Sequence, residues 1–477
     1  MLQQIRNNYF VLLVSAVYLL LTILCLNNCY FWDNIQQTTK EAHWFYLNDF
    51  TSFFIPRNET VDGISGTGYH PPLMALMTAI LWKVVAYKLW VSHVFTLFWA
   101  VVLIYNARKL IQLFFPQHLV AWVLAIVLLE STLLTQFAIA SPDFILFTAF
   151  VVSLRAMFER KNFLLAAGIF FLSCISMRGV FVGVTLFLVH NYYNFLVSDK
   201  KYTINTFRST ILPYLPTLII LVSYFGIYLF MNGWFFNNSN YATHYSMPHT
   251  SGRIIKHFAE FVLRSAENGR IVVWLLGVYF GVRMLKEKTV FTAELKTLFA
   301  LFIALNGLYL LFVFISQMPF SSRYFMPQFF VLSLLVLLGI IRFIDGRRII
   351  LFMIVLLFEL TGHLWVYPDK IAKCWDGTLA HFSFYELRND CLNYIDEQKI
   401  DYKDVSAGFS LYGDRRFVDL QNQKQVISST NNTKYFIYSN ISNVEDSFAD
   451  SLSNPTYWQA VKRFDKGFVK IIIYKRK

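Results

Sequence analysis

Two points in an otherwise apolar chain carry residue types suited to chemistry. Asp33 stands in Tyr30-Phe31-Trp32-Asp33-Asn34, just past the first apolar run, and His70-Pro71-Pro72-Leu73 closes the polar loop that follows. With that run spanning a bilayer, the carboxylate and the imidazole come to one side of the membrane at the mouths of two helices. A carboxylate there can accept a proton while a hydroxyl or amine forms a new bond, or it can simply cap a helix N-terminus. The imidazole can bind a phosphate, ligate a metal or donate a proton, whereas the prolines require only a rigid helix start. Asp143, in Ser141-Pro142-Asp143, opens a further apolar run, and capping explains it equally well. Arg178 lies between two apolar runs, and Arg323 precedes Tyr324 at the start of another. Charge at membrane depth is costly and points to function. A guanidinium matches phosphate oxygens in shape and charge, with snorkelling to lipid headgroups as the alternative.

The elements that must position these groups are membrane helices. The chain is 56% hydrophobic and 18% aromatic, with a mean hydropathy of +0.47. Apolar runs of about 20 residues cross the hydrocarbon core and must be helical to satisfy their backbone. Such runs predict helices near 9–29, 72–88, 89–106, 119–139, 143–158, 163–177, 179–197, 209–232, 271–285, 297–316, 324–342 and 349–367. The first follows Arg6 without a small-residue cleavage site and is expected to stay as an anchor. The formal net charge of +13 gathers between helices, at Arg108/Lys109, Arg155/Arg160/Lys161, Lys200/Lys201/Arg208, Arg283/Lys286/Lys288/Lys296 and Arg342/Arg347/Arg348. By the positive-inside rule these clusters are cytoplasmic, so the excess is a topology signal and does not suggest nucleic-acid binding. The external segments are then 30–71, 138–143, 233–270, 317–323 and the tail. A cytoplasmic N-terminus and an external C-terminus need an odd number of crossings. Eleven or thirteen are expected where the apolar runs number twelve, with 72–139 the stretch to resolve.

The loop 233–270 holds His244, His249, Arg253 and His257. Its length and glycines suggest a mobile segment that orders over a substrate. His70, His244 and His249 are weak candidates for a divalent metal. From 368 the composition turns polar. Runs such as Tyr435-Phe436-Ile437-Tyr438 predict a small external α/β domain over 368–477, following a membrane domain over 1–367. Cys374 and Cys391 lie in this tail, where a disulfide and two free thiols are equally compatible with the sequence. The remaining cysteines, Cys25, Cys29 and Cys174, read as small buried hydrophobes.

Taken in order, Asp33, His70-Pro71-Pro72-Leu73, Pro142-Asp143, Met177-Arg178-Gly179 and Arg323-Tyr324-Phe325-Met326-Pro327 resemble the GT-C glycosyltransferases of the protein O-mannosyltransferase and lipid A aminoarabinose transferase type, over roughly residues 1–367. The resemblance implies an all-α polytopic membrane protein that transfers a sugar from a polyprenyl-phosphate carrier to a lipid, glycan or protein acceptor. The reaction would take place on the external face, in the bacterial plasma membrane. It implies Asp33 as the base or as the group that orients the acceptor, Asp143 as a second acidic residue, His70 at a position that carries Lys or His, and Arg178 at the donor phosphate. Tyr69, Tyr324, Arg323 and Arg253 join the expected substrate contacts. Two departures stand out: Asn34 follows Asp33 where many relatives have an acidic pair, and Tyr69 stands where some have a metal-binding Glu. A transporter of a lipid-linked substrate and a non-catalytic scaffold remain the alternative classes.

Overall fold

The computed structural model describes residues 2–51, 70–198, 203–232, 250–287, 291–317, 319–368, 375–422, 425–442 and 444–477. Its helices are α1 (Leu2–Cys25), α2 (Glu41–Leu47), α3 (Leu73–Val84), α4 (Leu89–Gln112), α5 (Val120–Leu128), α6 (Ser131–Ala138), α7 (Pro142–Phe158), α8 (Asn162–Ile175), α9 (Met177–Val197), α10 (Ile204–Ile211), α11 (Leu215–Asn232), α12 (Ser251–Ala266), α13 (Ile271–Lys286), α14 (Ala293–Ile315), α15 (Met326–Phe343), α16 (Arg348–Thr361) and α17 (Phe384–Glu397), with shorter turns between them.

The axis of the bundle is α7. It is apolar on every side, and every residue in it is buried, as expected of a helix without a solvent face. It packs against α4 and α8. At about 1.5 Å per residue its 17 residues span about 25 Å. Its two ends therefore lie near opposite faces of the apolar layer. Asp143 marks one end. At the other, Arg155 pairs with Glu159 at 3.0 Å and donates to Asn106 Oδ1 at 2.9 Å.

Among the described residues four helical segments, α4, α9, α14 and 322–343, are long and apolar enough to cross a membrane singly. The pairs α5–α6 and α10–α11, bent by 62° and 59°, are each either a broken span or a re-entrant loop, which gives up to six. Shorter apolar helices are Tyr9–Cys25, α3 and α8. The run at 72–88, expected to cross, does not. Its helix α3 has 12 residues, about 18 Å long, against a hydrocarbon core of about 30 Å. Both ends of α3 stay on the Asp143 side. His70 before it accepts a hydrogen bond from Met177, while Lys83 in its last turn pairs with Asp49 at 2.5 Å. Tyr87 beyond it donates to the Arg416 carbonyl at 3.2 Å. The run 119–139 breaks at Glu130, whose carboxylate accepts from the Leu133 N–H at 2.8 Å and caps α6.

The expected mobile loop is in part a helix. Residues 233–249, with His244 and His249, lie outside the described residues, but α12 follows, capped by Thr250 accepting from the Arg253 N–H. His257 and Arg264 are buried on one face of α12, and Ile255, Phe258 and Val262 are exposed on another.

Beyond 375 a four-stranded sheet has the order β1-β2-β4-β3, with β1 Val405–Ala407, β2 Tyr435–Ser439, β4 Val469–Arg476 and β3 Trp458–Lys466. The first pair is parallel and the others antiparallel. This unit shares one apolar core with the first loop and α3: Phe31, Trp32, Ala79 and Trp82 join Trp375, Phe384, Ile437 and Ile471. Phe31 stacks on His381 with ring centroids 4.7 Å apart. Cys391 is a buried free thiol, pushed up to about 12 by burial; Cys374 lies outside the described residues.

Candidate active site

Asp33 is placed by the aromatic segment before it. Tyr30, Phe31 and Trp32 are buried, and Trp32 takes a left-handed backbone at φ 58°, a conformation a bulky residue adopts only when its surroundings impose it. Asn34 Nδ2 then donates to the Ile139 carbonyl at 2.7 Å. That bond ties the first loop to the turn that starts α7. There Ser141 accepts from the Asp143 N–H at 3.1 Å, and Pro142 occupies the first turn. Ser141 thus caps α7 and leaves the Asp143 carboxylate for other partners.

Those partners are the two arginines. Arg178 sits in the first turn of α9, capped by Ser176. Gly179 beside it allows α8 and α9 to touch, since a Cβ there would lie 1.7 Å from the Leu172 carbonyl oxygen. Arg178 pairs with Asp143 at 2.8 Å and lies 4.0 Å from the centre of the Tyr324 ring. Arg323 stands on the short turn Ser322–Phe325, anchored by Phe325 against Tyr309 and Phe261. Its guanidinium pairs with Asp33, lies 3.2 Å from Asp143, and meets Asp376 at 2.6 Å.

Asp376 was not anticipated. It lies in the polar tail, 53 residues past Arg323, and only the fold brings it in. Its own carbonyl accepts from Gln136 Nε2 at 2.6 Å. Gly377 lets its turn press on the Arg323 turn, where a Cβ would stand 2.4 Å from Ser322 Oγ. The single local hint was Trp375-Asp376-Gly377, an aromatic–acid–turn sequence close after the last crossing.

His70 is at this face but differs from the cation expected. Its Nδ1 accepts from the Met177 N–H at 3.1 Å, which leaves the ring proton on Nε2. Burial, reinforced by Arg178 and Arg323, pushes its pKa down to about 3. It is therefore a neutral ring at physiological pH that satisfies the start of α9, and it brings no charge for a phosphate. Arg253 is exposed on α12 and donates to Gln317 Oε1 at 2.7 Å. Tyr69 lies outside the described residues. Among the described residues no group of three His, Cys, Asp or Glu side chains is arranged to hold a metal.

Access separates the members of the cluster. The Asp33 side chain is 30% exposed, Asp143 6%, Arg323 4% and Asp376 0%. The Nε atom of Arg178 is a buried donor without a hydrogen bond, while that of Arg323 lies 3.2 Å from an Asp143 oxygen. An anionic oxygen reaching this face would meet guanidinium groups already engaged by carboxylates, with which it would compete.

The chain is an integral, multi-pass membrane protein of GT-C-like fold. Among solved structures it is similar to ArnT from Cupriavidus metallidurans bound to undecaprenyl phosphate, with a TM-score of 0.51 at 11% identity over 97% of each chain. Neither protein-family profiles nor curated protein sequences match it.

Proposed function

We propose that the protein is a glycosyltransferase that takes its sugar from a polyprenyl-phosphate donor. The observation that carries this reading is one partly exposed carboxylate, Asp33, set beside the buried Arg323 guanidinium and the partly buried Arg178 at one end of the bundle. A fold shared with a protein bound to undecaprenyl phosphate supports it. The chemistry follows from the charges. The acceptor oxygen or nitrogen attacks the anomeric carbon, its proton passes to Asp33, and the bond from that carbon to the phosphate oxygen breaks. The leaving polyprenyl phosphate keeps the electron pair. Arg178 and Arg323 stabilise its growing charge in a site of low dielectric, and the lipid tail stays against the helices. Asp143 holds both arginines in place.

The side of the membrane follows from the cations. Arg155, Arg160 and Lys161 stand at the far end of α7 from Asp143. With these inside, the site faces the exterior of a plasma membrane. The charged cluster also gathers at one face, whereas a transporter would set such groups near the midplane. The test is sugar transfer from a polyprenyl-phosphate-linked sugar by the purified protein in lipid. Wild type should transfer and Asp33→Asn should not. Equal transfer by a folded Asp33→Asn protein would remove Asp33 from the reaction.

A further inference from the structure

Arg323 holds three carboxylates, and they differ in what they can do. Asp376 is fully buried and comes from a turn locked by Gln136 and by the close approach of Gly377 to Ser322. Asp143 is nearly as buried and is shared with Arg178. Asp33 alone among the three is substantially exposed. A guanidinium offers few N–H groups at any one edge, so an entering phosphate must compete for them. The partner it can displace is the one with solvent access and a loop connection.

We propose that Asp376 is a positioning residue that fixes Arg323, while Asp33 is an exchangeable partner that the donor phosphate displaces. In the empty enzyme Asp33 is engaged by Arg323 and is not free to reach an acceptor. When the phosphate takes its place, Asp33 is released beside the sugar and becomes available as the base. The base is thus freed only when a donor is present. This rests on the proposed transferase reading and adds an order of events to it. Asp376 is needed because Arg323 would otherwise follow whichever anion left.

The exchange makes the two aspartates opposite in effect on one binding equilibrium. The probe is undecaprenyl phosphate, titrated into the full-length protein in nanodiscs of neutral lipid. Asp33→Asn removes a competitor and should tighten binding about tenfold or more. Asp376→Asn frees Arg323 and should weaken it about tenfold, with Asp376→Glu recovering part of the loss. In an Arg323→Gln background the Asp33→Asn change should no longer tighten binding. A merely structural role for both residues would weaken binding in both variants, and that result overturns the proposal. Binding by wild type with no tightening in Asp33→Asn overturns the exchange alone. No binding by wild type or any variant overturns the donor reading and the exchange together.

Discussion

Two buried ionic clusters meet at one turn of this protein, and only one has the makings of an active site. The first joins Arg323 and Arg178 to Asp33, Asp143 and Asp376. The second joins Arg270 to Glu130 at 2.9 Å and to the Ser322 carbonyl at 2.8 Å. Nearby, Arg264 pairs with Glu267 at 3.0 Å. Arg270 and Glu130 are 0% and 4% exposed, and Arg264 and Glu267 3% and 0%. In composition the clusters are alike. They differ in access, since no member of the second approaches the 30% exposure of Asp33. Buried charge by itself marks cost, which a structural pair also meets, and guanidinium nitrogens without a hydrogen bond occur in both clusters; the open carboxylate of the first marks a place for a ligand. The second cluster seats the turn from which Arg323 acts.

That contrast can be broken by substitution. The largest effect is expected on transfer. Asp33→Asn should lower it by about 10²-fold or more through loss of the base, with an unchanged melting temperature. A matching loss of melting temperature would make Asp33 structural, like Glu130. Next, Arg270→Ala should destabilise the fold by about 3–5 kcal/mol, because Glu130 is left buried without its cation. Its folded fraction should still turn over normally. Reduced turnover per folded molecule, at unchanged stability, would place Arg270 in the reaction and erase the distinction. Arg178→Ala should weaken donor binding by the worth of a charge-assisted contact, about 1.5–3 kcal/mol. Unchanged donor affinity would assign Arg178 to structure.

A smaller and more diffuse effect comes from the histidines on the site face. Burial pushes His43 and His381 down to about 4 and His70 to about 3, from an unfolded value near 6.5. The unfolded chain takes up these protons first, so stability is full above pH about 6.5 and falls as the pH drops toward 4. Melting in detergent should therefore decline across that window, and less steeply in His70→Asn. A flat profile would mean that these rings are not held neutral by the fold.

Much of this was legible in the sequence, for physical reasons. Long apolar runs reported helices. Asp33, Asp143, Arg178 and Arg323 were legible because charge beside an apolar run is expensive. The surface helix α3 was misread because a short apolar run looks the same whether it spans or lies along an interface; only its length of 12 residues argued otherwise. Residues 251–266 of the expected loop at 233–270 proved helical because the Thr250 cap and the apolar spacing of Ile255, Phe258 and Val262 went unread. His70 was legible as special, but its neutrality comes from burial and from Met177, 107 residues away. Asp376 was hidden for the same reason, as its partner lies in another part of the chain.

The central claim is that the Arg178–Arg323 face receives a polyprenyl phosphate. Native mass spectrometry of the purified protein, released from detergent after mild extraction, tests it most directly. Wild type should carry an adduct with the mass of a polyprenyl phosphate or its sugar conjugate, and folded Arg178→Ala should lose most of it. Wild type without such an adduct after incubation with undecaprenyl phosphate, or equal retention by Arg178→Ala, would contradict the account.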